Sequence, residues 1–161
     1  MQVEVRDIAG VLGGDKVLGQ PVRQLRDLEQ IVKNGMPFAA IENVFRLVSP
    51  ETKENELHAL VHIVFKPGDK RRYNQLQREF SSVAGDQSAR VKEAEGVRAE
   101  RLARIFALAQ KALGDNNLAS EFLFKPHALL ENLSPAAKLD TEIGAKQVEY
   151  LLNAAIYGIA S

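Results

Sequence analysis

The sequence has no cysteine. That absence excludes disulfides, thiolate nucleophiles and thiolate metal sites together, and it fits a reducing compartment. Neither sign of charge is in excess, because 21 Lys and Arg balance 21 Asp and Glu. Nucleic-acid binding through bulk charge is therefore excluded, and any DNA contact must rest on a local patch. Long apolar runs are missing, with none approaching the ~20 residues of a membrane helix. Glu4, Arg6 and Asp7 interrupt the region where a signal peptide would need its apolar core. A soluble, cytoplasmic chain without a membrane partner is expected.

Motifs that carry chemistry are equally sparse. Gly13 and Gly14 suggest a phosphate loop, but Asp15 places negative charge where backbone amides should face phosphate, and Val17 follows Lys16 instead of Ser or Thr. His58 and His62 have a spacing that can chelate a metal on one helix. No Cys or Glu pattern supplies further ligands, and Ala59 stands where a zinc protease needs Glu, so two surface or interface histidines are expected. Asp140 and Glu142 flank a helix start, which suits capping and dipole roles better than paired acid–base work. There is no Gly-x-Ser-x-Gly elbow and no dinucleotide fingerprint. The expectation is a protein that is not an enzyme and needs neither cofactor nor metal.

What is present is helical periodicity. The 161 residues, 45% apolar and 26% charged, suit one globular domain or two small ones. The first five residues alternate and suggest a short strand, and the Gly-rich run to Pro21 suggests a loop or arm. Residues 22–34 put Leu25, Leu28, Ile31 and Val32 on one helical face, closed by Gly35. Pro37 opens a second helix with Phe38, Ile41, Val44, Phe45 and Val48 inward. Ser49 and Pro50 then suit the cap and first position of a third, with Leu57, Leu60, Val61 and Val64 inside. After a small-residue loop at 81–87, Ser88 is placed to cap a long helix. Its stripe is Val91, Ala94, Val97, Leu102, Ile105, Ala109, Ala112 and Leu113. Gly114 ends it, Asp115 caps the next helix, Pro126 stops that one, and Ser134-Pro135 starts a short turn. Thr141 caps the last helix, 142–157. The chain reads as all-α, with a boundary near residue 85 between lobes 1–85 and 86–161.

Two stretches suggest binding. Lys66-Pro67-Gly68-Asp69 is a tight turn between a helix and a basic one, in the outline of a helix-turn-helix. Lys66, Lys70, Arg71, Arg72 and Arg78 can neutralise phosphates, while Asn74 and Gln75 can reach base edges. A solvated basic face on a structural helix is the alternative. The second stretch has Phe122, Phe124, Tyr150 and Tyr157 around a Pro-broken linker and the last helix. Aromatics so placed either anchor an interface or pack the core. His127, after Pro126, reads as a contact residue.

The chain from Phe122 onward resembles the toxin-binding domain of the Xre/MbcA/ParS antitoxins. The matching features are Phe122-Leu123, Pro126, Leu130, Ser134-Pro135, Asp140-Thr141-Glu142, Gly144-Ala145, Val148, Leu151-Leu152 and Tyr157-Gly158. Arg98 to Asp115, with Arg101, resembles the helix that precedes this domain, and 37–80 resembles the family's helix-turn-helix less closely. The resemblance implies an antitoxin for a RES-type toxin with an ADP-ribosyltransferase-like fold that uses NAD. It implies that residues 86–161 cover the toxin's cleft through Phe124, His127, Leu130, Glu131, Glu149, Tyr150, Asn153, Tyr157, Gly158 and Ser161. It further implies promoter DNA as a partner. Because helix-turn-helix proteins read paired half-sites, a homodimer within a larger toxin–antitoxin complex is expected, with its contact on the apolar face of 22–34 and the arm before it. A helix-turn-helix regulator without a toxin is the competing expectation.

Overall fold

A computed structural model describes residues 3–66, 70–81 and 88–156. Ten α-helices follow one another among the described residues: α1 Val5–Val11, α2 Gly14–Leu18, α3 Leu25–Asn34, α4 Phe38–Val48, α5 Glu54–Phe65, α6 Lys70–Ser81, α7 Glu93–Leu113, α8 Asn116–Phe124, α9 Pro135–Lys138 and α10 Glu142–Ile156. One 3₁₀ turn, Ala128–Leu130, lies between α8 and α9. The described residues form no strands, so the all-α expectation holds.

α7 is the centre. It packs against α1, α3, α4, α5, α8 and α10. Every residue from Ile105 to Ala109 is buried, which no single-stripe surface helix shows. Ala99, Ala103, Ala107 and Ala109 keep the helix thin enough for neighbours to approach, while Leu102, Ile105 and Phe106 fill the space between them. The expected stripe is corrected at its start, where Ala94 and Val97 are exposed and Gly96 and Ala99 face inward. Its cap is corrected too. Ala89 to Val91 run extended beside α4, with the Phe38 amide donating to the Ala89 carbonyl (2.8 Å) and the Val91 amide to the Met36 carbonyl (2.9 Å). The helix therefore begins at Glu93, with Lys92 rather than Ser88 as its N-cap.

The N-terminal expectations also change. Residues Val5 to Val11 are helical because Asp7 accepts from the Glu4 amide (2.8 Å) and caps the first turn. The Gly-rich run holds α2, framed by the left-handed glycines Gly13 (φ 108°) and Gly19 (φ 80°). Asp15 accepts from Arg6 (3.1 Å) and from the Val22 amide (3.2 Å), so it braces this arm. The α4 face is as read, with Phe38, Ile41, Val44, Phe45 and Val48 all buried. Ser49 closes α4 rather than opening α5. Its hydroxyl donates to Glu56 (2.6 Å), and α5 starts at Glu54.

Tyr73 and Arg72 are prominent among the contacts that fasten α6. Tyr73 sits among Phe38, Phe45 and Phe65 with ring centroids 5.5–5.8 Å apart, and its hydroxyl donates to Glu42 (2.6 Å). Burial, reinforced by that bond to Glu42, pushes the Tyr73 phenol far up. Arg72 reaches across to α7 and donates to both oxygens of buried Glu95 at 2.6 and 2.8 Å. Glu95 also accepts from the Lys92 amide (2.8 Å) and so caps α7 from inside. Burial opposes ionisation of Glu95, but these bonds outweigh it and hold its carboxyl below the usual range.

Replacing Glu95 by Ala removes the two-oxygen ion pair with Arg72 and the α7 cap. Urea denaturation is expected to show a loss of about 3 kcal/mol. Because the folded pKa of Glu95 is depressed, the wild-type advantage is complete above the usual carboxylate range and fades as pH falls through the Glu95 pKa. A difference between the two proteins that is independent of pH down to acid unfolding contradicts this assignment.

Candidate functional site

The chain from α8 to α10 is built from local capping. Gly114 (φ 75°) ends α7, and Asp115 accepts from the Leu118 amide (3.2 Å) to start α8. Ser134 accepts from the Ala137 amide (3.2 Å), and Thr141 from the Gly144 amide (2.9 Å). All three caps are where the sequence places them.

Between α8 and α9 the linker folds on His127. Its amide donates to the Leu133 carbonyl (3.1 Å), and its carbonyl accepts from Leu130 (2.9 Å) and Asn132 (3.0 Å). The ring Nδ1 accepts from the Leu129 amide (3.2 Å). Glu131 (φ 59°) and Asn132 (φ 63°) then turn the chain through two consecutive left-handed residues. In this turn Leu130 goes into the core, while Leu129 stays 69% exposed and Leu133 is exposed beyond it.

α10 is held against α7 by charge and against α9 by backbone contact. Arg101 donates to Glu142 (3.0 Å) and to the Leu139 carbonyl (3.3 Å). Arg104 donates to Glu142 (3.1 Å) and lies 3.5 Å from both Glu149 and Glu100. Although burial raises the pKa of Glu142, the two arginines hold it below the usual range. Burial pushes Glu100 up. Burial also opposes the charge on Arg104, but its carboxylates hold it firmly protonated. A Cβ on Gly144 would lie 1.9 Å from the Lys138 carbonyl oxygen, so only glycine lets the start of α10 touch the end of α9.

With Ala145, Val148, Leu151 and Leu152 facing inward, α10 turns Tyr150 outward, 81% exposed. Tyr150 and Leu129 line a shallow depression of about 320 Å³ with Gln147, Leu151 and Ala154. This is an apolar surface with an aromatic at its edge, and it holds no grouped nucleophile or base.

The expected contact residues divide accordingly. Tyr150 and Glu131 are exposed; Phe124, His127 and Asn153 are half-buried. Leu130 is buried yet lines the Leu129–Tyr150 depression from beneath, and Glu149 is drawn to Arg104. Tyr157, Gly158 and Ser161 lie outside the described residues. Leu129 and Leu133 were not anticipated. The sequence carried no signal for them, because the fold around the His127 turn sets which leucine of the Leu129-Leu130 pair is buried.

On α6, Lys70, Arg71, Asn74, Gln75 and Arg78 are exposed, as is Lys66 beyond α5. Lys70, Arg71, Asn74 and Arg78 surround a shallow depression of about 540 Å³. Gln75 donates to Glu79 (3.3 Å). Arg72 was expected on this face, but Glu95 draws its guanidinium inward, and the turn residues 67–69 lie outside the described ones. His58 and His62 are both exposed. Among the described residues no group of His, Asp and Glu could hold a metal ion, and no helix is long and apolar enough to cross a membrane.

Residues 108–158 match the family model of the antitoxin Xre/MbcA/ParS C-terminal toxin-binding domain. No curated protein matches the chain. The matched segment runs from the last turns of α7 into α10 and contains the His127 turn, Gly144 and the Leu129–Tyr150 depression. Arg101 and Arg104, which hold α10, lie N-terminal to the matched segment on the same α7.

Gly144→Ala forces α9 and α10 apart within the matched segment. A loss of about 2 kcal/mol, the usual scale of overpacking, is expected in calorimetric unfolding. Gly10→Ala is the control: its Cβ meets nothing within 4 Å and it sits in α1, so stability stays unchanged or rises by up to ~1 kcal/mol.

Proposed function

We propose that this protein is an antitoxin that neutralises an NAD-using, RES-type toxin by covering its active-site cleft. The observation that carries the reading is the exposed Leu129–Tyr150 surface inside the matched toxin-binding segment. A tyrosine held outward on a rigid helix, beside exposed leucines, is the kind of anchor that dominates protein interfaces. Glu131 stands exposed at the adjoining turn, where it can pair with the Arg or Lys groups that hold NAD phosphates in the toxin. Tyr157 and Ser161 belong to the same proposed contact, and Glu149, which shares its charge with Arg104, is a further proposed toxin contact on α10. Residues 86–161 carry this role, and the antitoxin itself performs no catalysis.

The proposal includes autoregulation through residues 1–85. The exposed Lys70, Arg71, Asn74 and Arg78 of α6 supply phosphate and base-edge donors for promoter DNA. A homodimer within the toxin complex would let two such helices read paired half-sites. The same surface favours the second reading, a helix-turn-helix regulator without a toxin.

The test is NAD consumption by the neighbouring gene's product, with this protein at equal molar amount. Suppression together with co-elution is expected. Tyr150→Asp weakens toxin binding by about 2 kcal/mol, the scale of an interface hot spot, with melting temperature unchanged because the side chain is exposed. Full suppression by that variant removes the Leu129–Tyr150 surface as the contact. Arg71→Glu abolishes promoter binding in a mobility-shift titration and spares toxin binding; unchanged promoter affinity excludes α6 as the reader.

A further inference from the structure

A larger groove lies on the other flank of α10. It measures about 640 Å³ and is walled by α1, α3, α7 and α10. Its floor is apolar, with Ile8, Leu28 and Leu108 buried beneath it. At its rim Leu25 is 71% and Val97 44% exposed, although Leu28, Ile31 and Val32 of α3 and Ala99 and Leu102 of α7 are buried nearby in the chain. Two exposed branched side chains at one opening are what an unfilled docking groove presents.

Its charge is one-sided. The lining holds four carboxylates, Glu29, Glu93, Glu100 and Glu149, against two cations, Lys33 and Arg104. Arg104 is shared among Glu100, Glu149 and Glu142, and Lys33 lies 4.0 Å from Glu29. Glu93 has no basic partner among the described residues. A second copy of the chain fits poorly, because a two-fold contact places a surface against itself. Concave would meet concave, and carboxylate would meet carboxylate. The complement is convex, apolar and cationic, as in an amphipathic helix that lays one face into a groove.

We infer that this groove seats a cationic amphipathic helix of the toxin, so that α1, α3 and the start of α7, all outside the matched segment, contribute to toxin affinity. The inference rests on the toxin reading above. Leu108, Glu149 and Asn153 bring the matched segment to the groove, and Leu25, Val97 and Glu93 complete it from the other side. α10 then carries toxin contacts on both flanks, Tyr150 on one and Glu149 with Asn153 on the other.

The experiment uses the full chain and the neighbouring gene's product. Toxin affinity is measured by titration calorimetry at low and high salt, and mass by light scattering. Leu25→Asp combined with Val97→Asp is expected to weaken toxin binding at least tenfold while the melting temperature holds, since both side chains are exposed. Glu93→Lys is expected to weaken it several-fold at low salt and less at high salt. If both variants bind the toxin like wild type while Tyr150→Asp does not, the groove assignment is overturned and the antitoxin reading stands. A change in self-association without a change in toxin affinity also overturns it, in favour of a second copy. If wild type itself fails to bind the toxin, the functional reading falls and takes this inference with it.

Discussion

Everything in this protein depends on the burial of α7. A 21-residue helix enclosed by six others must be narrow where they approach and bulky where they leave gaps. Its alternation of Ala99, Ala103, Ala107 and Ala109 with Leu102, Ile105 and Phe106 meets both needs. The polar groups are placed where α7 meets its neighbours' ends. Glu95 near its start takes Arg72 of α6, and Arg101 and Arg104 take Glu142 and Glu149 of α10. α7 thus fastens the basic helix at one end and the last helix nearer the other.

That arrangement constrains what α10 can show to a partner. The Gly144 contact with Lys138 sets how closely α10 starts against α9, and the arginine pairs set its rotation about its own axis. With Val148, Leu151 and Leu152 committed to the core, Tyr150 has only solvent to face. A binding residue on a helix pinned at this many points loses little freedom on association, which favours affinity. The His127 turn does the same for Leu129, because its backbone bonds close the linker on itself.

The proposed partner surfaces differ in physical character. The Leu129–Tyr150 depression is small, apolar and aromatic at its edge, whereas the groove on the opposite flank of α10 is larger and acidic. α6 offers a third, with exposed cations and amides. Zero net charge on the whole chain conceals this segregation of positive and negative surfaces. The Arg72–Glu95 pair ties the positive surface mechanically to α7, although it removes one guanidinium from that surface.

Much of this was legible beforehand, and the divide follows the range of the forces involved. The helical class, the apolar face of α4 and the caps at Asp115, Ser134 and Thr141 depend on periodicity and on hydrogen bonds spanning three residues, so the sequence by itself determines them. The toxin-binding signature is of the same kind, a set of local turns and helix starts at fixed spacing. Tertiary structure alone decided the rest. The α7 stripe was misread at its start because Glu95 and Gly96, rather than Ala94 and Val97, face the distant segments packed there. Arg72 was read as a DNA contact because its partner, Glu95, lies 23 residues away. Leu129 and Leu130 are chemically identical, and only the fold around the His127 turn chose which one to bury. A cap is settled within one turn of chain. Burial and charge pairing are settled by whatever distant segment arrives alongside, and no local pattern carries that information.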